Sequence, residues 1–441
     1  MNDGRREGGV VRPILALSAP AVVVLGIQML VGLAELFFIS RLGPEAVAGV
    51  TLATPWVLLL QGLSNGAVGS GIASAVARAM GGGRRDDAQA VVRVALGLAA
   101  ALGAACALGH WQGGEALFRS LGGQGEVLAC ALDYAGPIFL ASTLIWLVNL
   151  LAAALRGSGN AVAPAAIVLA GALVLPLSPA LIFGWGPFPR MGVMGAGLGV
   201  VAYYLLAALA LLLYLGRGRG SLGIGPGGKR WRPMVVDVLC VTGPATAASL
   251  LANLALAMVT SAVARFGSQA MAGYGLASRF DLVLNALLFA LGTGVLAVVG
   301  ASVGAGQEAR ARRAAWAGTA IGGAGAEIMG LTLALAPEAC LAPFDPEPAV
   351  LEAGANYLRI AGPLYGLAGV SVTLNWAAQG AGRAMLPMLA LMARFAVAAA
   401  GEWSGWGLDA VFALAALSGA AACAVMVWGF TRPAGLPRFN R

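Results

Sequence analysis

The chain has 441 residues, of which 59% are hydrophobic and only 10% charged, and its mean hydropathy is +0.85. Soluble domains carry about 25% charged residues, so this composition excludes a soluble globular protein. The formal net charge of +8 would raise nucleic acid as a partner for a soluble chain; here its distribution between loops accounts for it, and no nucleic-acid partner is read.

Nearly every stretch offers the roughly 20 apolar residues that a membrane-crossing helix needs, and none shows the two-residue alternation of a membrane β-barrel. The chain is read as an all-α polytopic membrane protein whose partner is the lipid bilayer. Twelve transmembrane helices are expected at 14–39, 46–79, 88–110, 127–155, 161–184, 192–216, 234–264, 270–303, 313–336, 349–378, 384–401 and 407–430. The longest should tilt or bend.

The first span carries Glu35 in the stretch VGLAELFFIS. A charge at the bilayer centre costs about 2.5–3.5 kcal/mol on insertion scales. Glu35 therefore faces a polar cavity, pairs, binds a proton, or reaches the headgroups from its place shortly before Ile39. Gln28 lies two turns earlier and shares its helix face. Gln61 and Asn65 form an i, i+4 pair in the second span, Asp281 and Asn285 another in the eighth, and Asn375 and Gln379 a third in the tenth. Glu327 sits midway along the ninth span, with Arg394 in the eleventh as one partner and a cavity as the other option. Asp281 is either an ion pair with Arg279 or Arg394 or a site for a cation, and the amides either bond between helices or line a site. His110 closes an apolar run, and the five cysteines contain no CxxC pair. They give neither a metal site nor a disulfide framework, and with no nucleophile and base set together no enzymatic activity is read.

Turn chemistry separates the spans at Gly81–Asp87 and Gly184–Pro189, and the polar stretch Gly216–Pro233 forms a linker at mid-chain. The two termini and the even-to-odd loops hold twenty Lys and Arg, against Arg41, Arg119, Arg190 and Arg265 on the opposite side. The positive-inside rule places both termini and the linker in the cytoplasm.

The halves repeat. Arg41-Leu42-Gly43 with Ala48-Gly49 matches Arg265-Phe266-Gly267 with Ala272-Gly273, and Pro20 matches Pro244, all at one common offset along the chain. GSGNAVAP at Gly157–Pro164 matches GAGRAMLP at Gly380–Pro387 at nearly the same offset. Six helices per half make the repeat parallel. The expected organisation is an N-terminal six-helix lobe over 1–216, a cytoplasmic linker over 217–233 and a C-terminal six-helix lobe over 234–441, two bundles that rock about a central cleft.

This 6+6 repeat, the first-helix carboxylate ahead of Arg41-Leu42-Gly43, the paired GxG[NR]xxxP motifs, and AGYGLASRFD and VGASVGAGQEARARRA within Ala272–Ala314 together resemble the multidrug and toxic compound extrusion (MATE) transporters. The resemblance spans about residues 12–430 and is nearest to the bacterial DNA-damage-inducible-type branch. It implies a secondary active exporter of the bacterial inner membrane that moves organic, cationic or amphipathic compounds against H+ or Na+, works as a monomer and needs no cofactor. Glu35 falls where such families place a first-helix Asp proposed to bind the coupling ion. The fifth-helix pattern N-x-x-x-D-P has Val174 and Ser178 at its polar positions, and a polar position of the sixth helix is Val200. So few oxygens favour H+ over Na+. Glu35 is expected to bind the coupling proton, and Gln28, Gln61, Asn65, Asp281, Asn285 and Glu327 are candidates for the substrate or a second coupling site. The alternative is a lipid-linked oligosaccharide flippase of the same superfamily, which would want more intramembrane cations than Arg279 and Arg394 to meet a pyrophosphate.

Overall fold

The computed structural model describes residues 9–171, 174, 176–218, 222–223, 231–344, 347–402 and 407–431. Most of the expected linker, with Arg5, Arg6, Arg432, Arg438 and Arg441 at the chain ends, lies outside the described residues.

The first half comprises α1 (Val11–Ser40), α2 (Pro44–Gln61), α3 (Gly69–Gly81), α4 (Arg85–Ser120), α5 (Gly125–Leu140), α6 (Ser142–Gly157), α7 (Val162–Gly171), α8 (Leu177–Phe183) and α9 (Val193–Gly216). The second comprises α10 (Trp231–Ala264), α11 (Ser268–Gly304), α12 (Glu308–Leu335), α13 (Pro337–Leu341), α14 (Pro348–Ala361), α15 (Tyr365–Gly380), α16 (Met385–Glu402) and α17 (Leu408–Thr431). No strand occurs among the described residues.

The twelve expected spans are met in order, but three are broken. Span 127–155 is α5 and α6, bent by 53°. Span 161–184 is α7 and α8, with Pro176 at the N-terminus of α8. Span 349–378 is α14 and α15 around the tight 3-10 turn Gly362–Leu364, where Pro363 cannot donate a backbone hydrogen bond. Span 46–79 continues from α2 to α3 through a π-helical segment, Gly62–Val68. Among the described residues, eight helices, counting α2 to α3 as one, are long and apolar enough to cross a bilayer, and the bent α5–α6 pair makes nine; α7 and part of α16 are shorter apolar helices.

The chain divides into two compact units. The amino-terminal unit holds Pro20–Met80 and Arg84–Val238; the carboxy-terminal unit holds Met1–Ala19, Gly81–Gly83 and Leu239–Arg441. In the first, α2 packs on α5, α4 on α6, and α5 on α9. In the second, α11 packs on α14 and α12 on α15, the counterparts of the first two pairings.

The repeat extends to close contacts. A Cβ on Gly157 would collide with the Ala73 backbone, and one on Gly380 with the Leu296 backbone; the two contacts are repeat counterparts. Gly49 meets Val127 and Ala131 in the same way as Gly273 meets Val350 and Gly354. In lipid, apolar side chains gain little by meeting each other, so such approaches let backbone dispersion hold the helices together. The turns after α6 and α15 also match: Gly159 and Gly382 take φ of 85° and 76°, which a side chain would resist.

Both α1 and α10 begin outside the unit that holds the rest of their length. Ile14, at the start of α1, is fully buried in the core of the carboxy-terminal unit. There Ser18 donates to the Ile14 carbonyl at 2.8 Å and the Leu291 carbonyl at 3.3 Å. Val238, near the start of α10 and the repeat counterpart of Ile14, is fully buried in the core of the amino-terminal unit. There the adjacent Asp237 pairs with the buried Arg78 at 2.7 Å.

Candidate functional site: two carboxylates among tyrosines

The amino-terminal unit contains a cavity of about 350 Å3. Helix α1 supplies Val24, Ile27, Gln28, Val31, Glu35 and Phe38, a stripe at helical spacing along one face. Gln61 and Thr54 face it from α2, Tyr134 from α5, Ser178 from α8, and Tyr203 and Tyr204 from α9. Val174 and Val200, apolar where the family pattern is polar, line it as well.

Glu35 thus faces a cavity. Its Oε1 is fully buried and accepts no hydrogen bond from the described residues, and the Ser178 hydroxyl is buried and equally unpartnered. Tyr134 lies within electrostatic range of Glu35. Gln28, two turns away, lines the same cavity as Tyr203. A buried acceptor without a donor costs about 1–3 kcal/mol. Protonation of Glu35 would supply one donor. The other oxygens around the cavity belong to the Gln28 and Gln61 side-chain carbonyls, the tyrosine hydroxyls, Ser178 and Thr54, the last donating to the Val50 carbonyl at 2.7 Å.

Of the remaining candidates in this unit, Gln61 joins the cavity, but Asn65 does not line it. The Asn65 side-chain carbonyl accepts from Arg156 at 2.7 Å, and the neighbouring Ser64 hydroxyl accepts from Asn149 at 2.7 Å. Both belong to the π-helical segment, whose altered spacing turns these side chains toward α6.

A second polar cluster lies in the carboxy-terminal unit. Asp281 of α11 accepts from the Tyr357 hydroxyl at 2.6 Å and from the Tyr365 hydroxyl on its other oxygen. Tyr274, two turns before Asp281, meets Tyr357 edge-on at 5.2 Å and stacks with Phe412 at 6.1 Å. Neither Arg279 nor Arg394 comes within ion-pair distance of Asp281 among the described residues. Arg394 nevertheless attracts Asp281 electrostatically, and its Nε is buried without a partner.

Asn285 and Glu327 stand apart from this cluster. The Asn285 amide bonds the Asp281 carbonyl of its own helix at 2.8 Å and is exposed. Glu327 accepts the backbone N–H of Gly366 at 2.8 Å and pairs with no arginine among the described residues. Gln379 donates to Asn375 at 2.5 Å. His110 stacks on Phe139 at 4.8 Å, and the five cysteines are free thiols.

The tyrosines escaped a reading from sequence alone. The chain has seven. Three line the cavity around Glu35, and three surround Asp281. Their scarcity elsewhere was the available signal.

A multi-pass helical membrane protein with two repeated units and buried carboxylates has the form of a membrane transporter. Residues 20–182 and 244–403 match the MatE family, and the chain belongs to that family, making it a MATE transporter. It is 28% identical over 369 residues to a FAD transporter of Shewanella oneidensis, covering 82% of this chain and 80% of that protein. It is 29% identical over 434 residues to a probable multidrug resistance protein NorM of Deinococcus radiodurans, covering 93% and 90%. A solved MATE structure in a bent conformation superposes with a TM-score of 0.85 at 22% identity, covering 96% of this chain and 95% of that one. This last likeness concerns the fold.

Proposed function

We propose that the protein is an H+-coupled exporter of organic cations or amphipathic compounds, and that Glu35 carries the proton. The observation that supports this is the unpartnered buried Glu35 oxygen facing a largely apolar cavity with three tyrosines. Aliphatic and aromatic walls suit an amphipathic compound, and tyrosine faces suit a cation. Proton and substrate would occupy the site in alternation, because coupling needs a ligand that favours one conformation over the other. The cytoplasmic termini, the plasma-membrane location and the monomeric state belong to the same proposal and rest on the loop charges and the family.

Two other cargoes are less well served. The Shewanella relative is named for FAD, a phosphorylated anion, and a lipid-linked oligosaccharide is also phosphorylated. Among the described residues no Lys or Arg lines the cavity, so a phosphate finds no counter-charge there.

The test is dye efflux from proteoliposomes under an imposed pH or Na+ gradient, with wild type and Glu35→Gln. Efflux driven by the pH gradient and lost in the variant is expected. Efflux driven by Na+ and unchanged in the variant would move coupling to the Asp281 cluster. Absence of dye movement, with movement of FAD or of a lipid-linked sugar instead, would replace the cargo.

A further inference from the structure

Glu327 is a carboxylate in a membrane helix that neither faces the cavity nor meets an arginine among the described residues. Its hydrogen bond falls at a specific place, the break between α14 and α15. A helix leaves its first N–H groups without acceptors, and an acceptor near that end is favoured by the helix dipole. Helix α15 begins at Tyr365 after Leu364, a residue with no side chain able to cap it. Glu327 of α12 provides the missing acceptor, to Gly366. The helices meet closely there: a Cβ on Gly330 would strike the Gly362 carbonyl, and one on Gly366 would strike Glu327 itself.

The bonded N–H belongs to the residue after Tyr365, and Tyr365 donates to Asp281. Tyr357 donates to the same carboxylate from the other side of the break. In an unbroken helix, residues eight apart are separated by about 12 Å along the axis and by about 80° around it. The break brings both hydroxyls to one carboxylate, and Glu327 fixes how α15 leaves it.

The internal repeat gives an independent comparison. The first-half counterparts of Asp281, Glu327 and Tyr365 are Val57, Ala104 and Ser142. All three polar groups are present in the second half, and neither the carboxylates nor the tyrosine is present in the first. The first-half break is held differently, by the Ser142 hydroxyl donating to the Gly103 carbonyl at 2.8 Å. A helix break in this fold therefore does not itself require a carboxylate on the neighbouring helix. The carboxylate accompanies the tyrosine and the aspartate.

We propose that Glu327 is a positioning residue: it caps α15 from the neighbouring helix, sets Tyr365 against Asp281, and carries neither proton nor cation itself. Its relevance to transport rests on the exporter reading above, while its action on Tyr365 does not.

The test is a double-mutant cycle with Glu327→Gln, Glu327→Ala, Tyr365→Phe and the Ala/Phe double variant, read by thermal unfolding in detergent and by dye efflux. Gln keeps an oxygen acceptor and should restore most of what Ala loses. Ala should slow efflux by about tenfold, the equivalent of a lost cap. In the Tyr365→Phe background the Ala substitution should change efflux by less than about twofold, since coupled residues are not additive. Gln as damaging as Ala would overturn the proposal, because charge would then be the function. Fully additive losses in both readouts would also overturn it. Coupled melting temperatures with no efflux from wild type under any gradient would support the positioning of Tyr365 and refute the exporter reading.

Discussion

Tyr134 and Tyr357 occupy the same position in the two halves, and each stands beside a carboxylate. Tyr134 shares the cavity with Glu35, and Tyr357 donates to Asp281 at 2.6 Å. The carboxylates themselves are not equivalent. Glu35 comes from α1, and its counterpart in the second half is Val259; Asp281 comes from α11, and its counterpart is Val57. The repeat preserves the tyrosine and lets the acid reach it from different helices. One acid has an unpartnered oxygen and the other is held by two hydroxyls, which gives the halves different chemistry on one scaffold.

That difference predicts opposite responses to amide substitution. Glu35→Gln removes a charge whose Oε1 has no donor, so melting in detergent should hold or rise, by up to about 1–3 kcal/mol, while efflux driven by a pH gradient disappears. Asp281→Asn should lower the melting temperature, because the tyrosine hydroxyls lose their carboxylate acceptor. Thermal unfolding of both variants checks this; equal shifts would mean that the two sites are held alike.

Tyr357→Phe keeps the ring packed against Tyr274 and Phe412 and deletes only the hydroxyl bond to Asp281. A hydrogen bond to a charged group contributes about 1.5–3 kcal/mol, so a loss of that size is expected on denaturant titration. A negligible loss would show that Tyr365 alone satisfies the carboxylate.

Gly157→Leu and Gly380→Leu should each be costly, since the added side chains meet the Ala73 and Leu296 backbones. Overpacking costs about 1–3 kcal/mol, and the amount of monodisperse protein after detergent extraction should fall. Gly26→Ala, with open space around the added carbon, is the control and should extract like wild type.

Asp237→Ala leaves the guanidinium of Arg78 without its carboxylate. Arg78 is buried while Asp237 is partly exposed, so the loss should be about 1.5 kcal/mol, nearer that of a charged hydrogen bond than of a fully buried ion pair. Melting in detergent measures it, and Asp237→Asn should recover part of the loss by keeping an acceptor for Arg78.

Elements whose signal is local were legible in the sequence. Spans follow from apolar length, and the shared face of Gln28 and Glu35 follows from helical spacing; both residues line the cavity as that spacing requires. Three candidates depended on information that spacing does not carry. Asn65 turns toward Arg156 because the helix locally becomes a π-helix. Asn285 bonds its own backbone. Glu327 finds its partner only because α14 and α15 separate and free an N–H, and an apolar run with one proline does not announce where a helix will break. The tyrosines were visible but unweighted, since an aromatic residue in a membrane helix reads as packing until the neighbouring carboxylate is placed.

Ile14 and Val238 lie at matching places in the repeat, and each is buried in the core of the unit that the rest of its helix does not belong to. A chain cut inside the polar stretch at 219–230 would therefore not yield two self-sufficient proteins. The first fragment would lack the plug ending in Asp237 and Val238 that completes its own core, and would carry the Ile14 plug of the other. Expressed separately, the fragments should be insoluble or short-lived; expressed together, they should rescue each other.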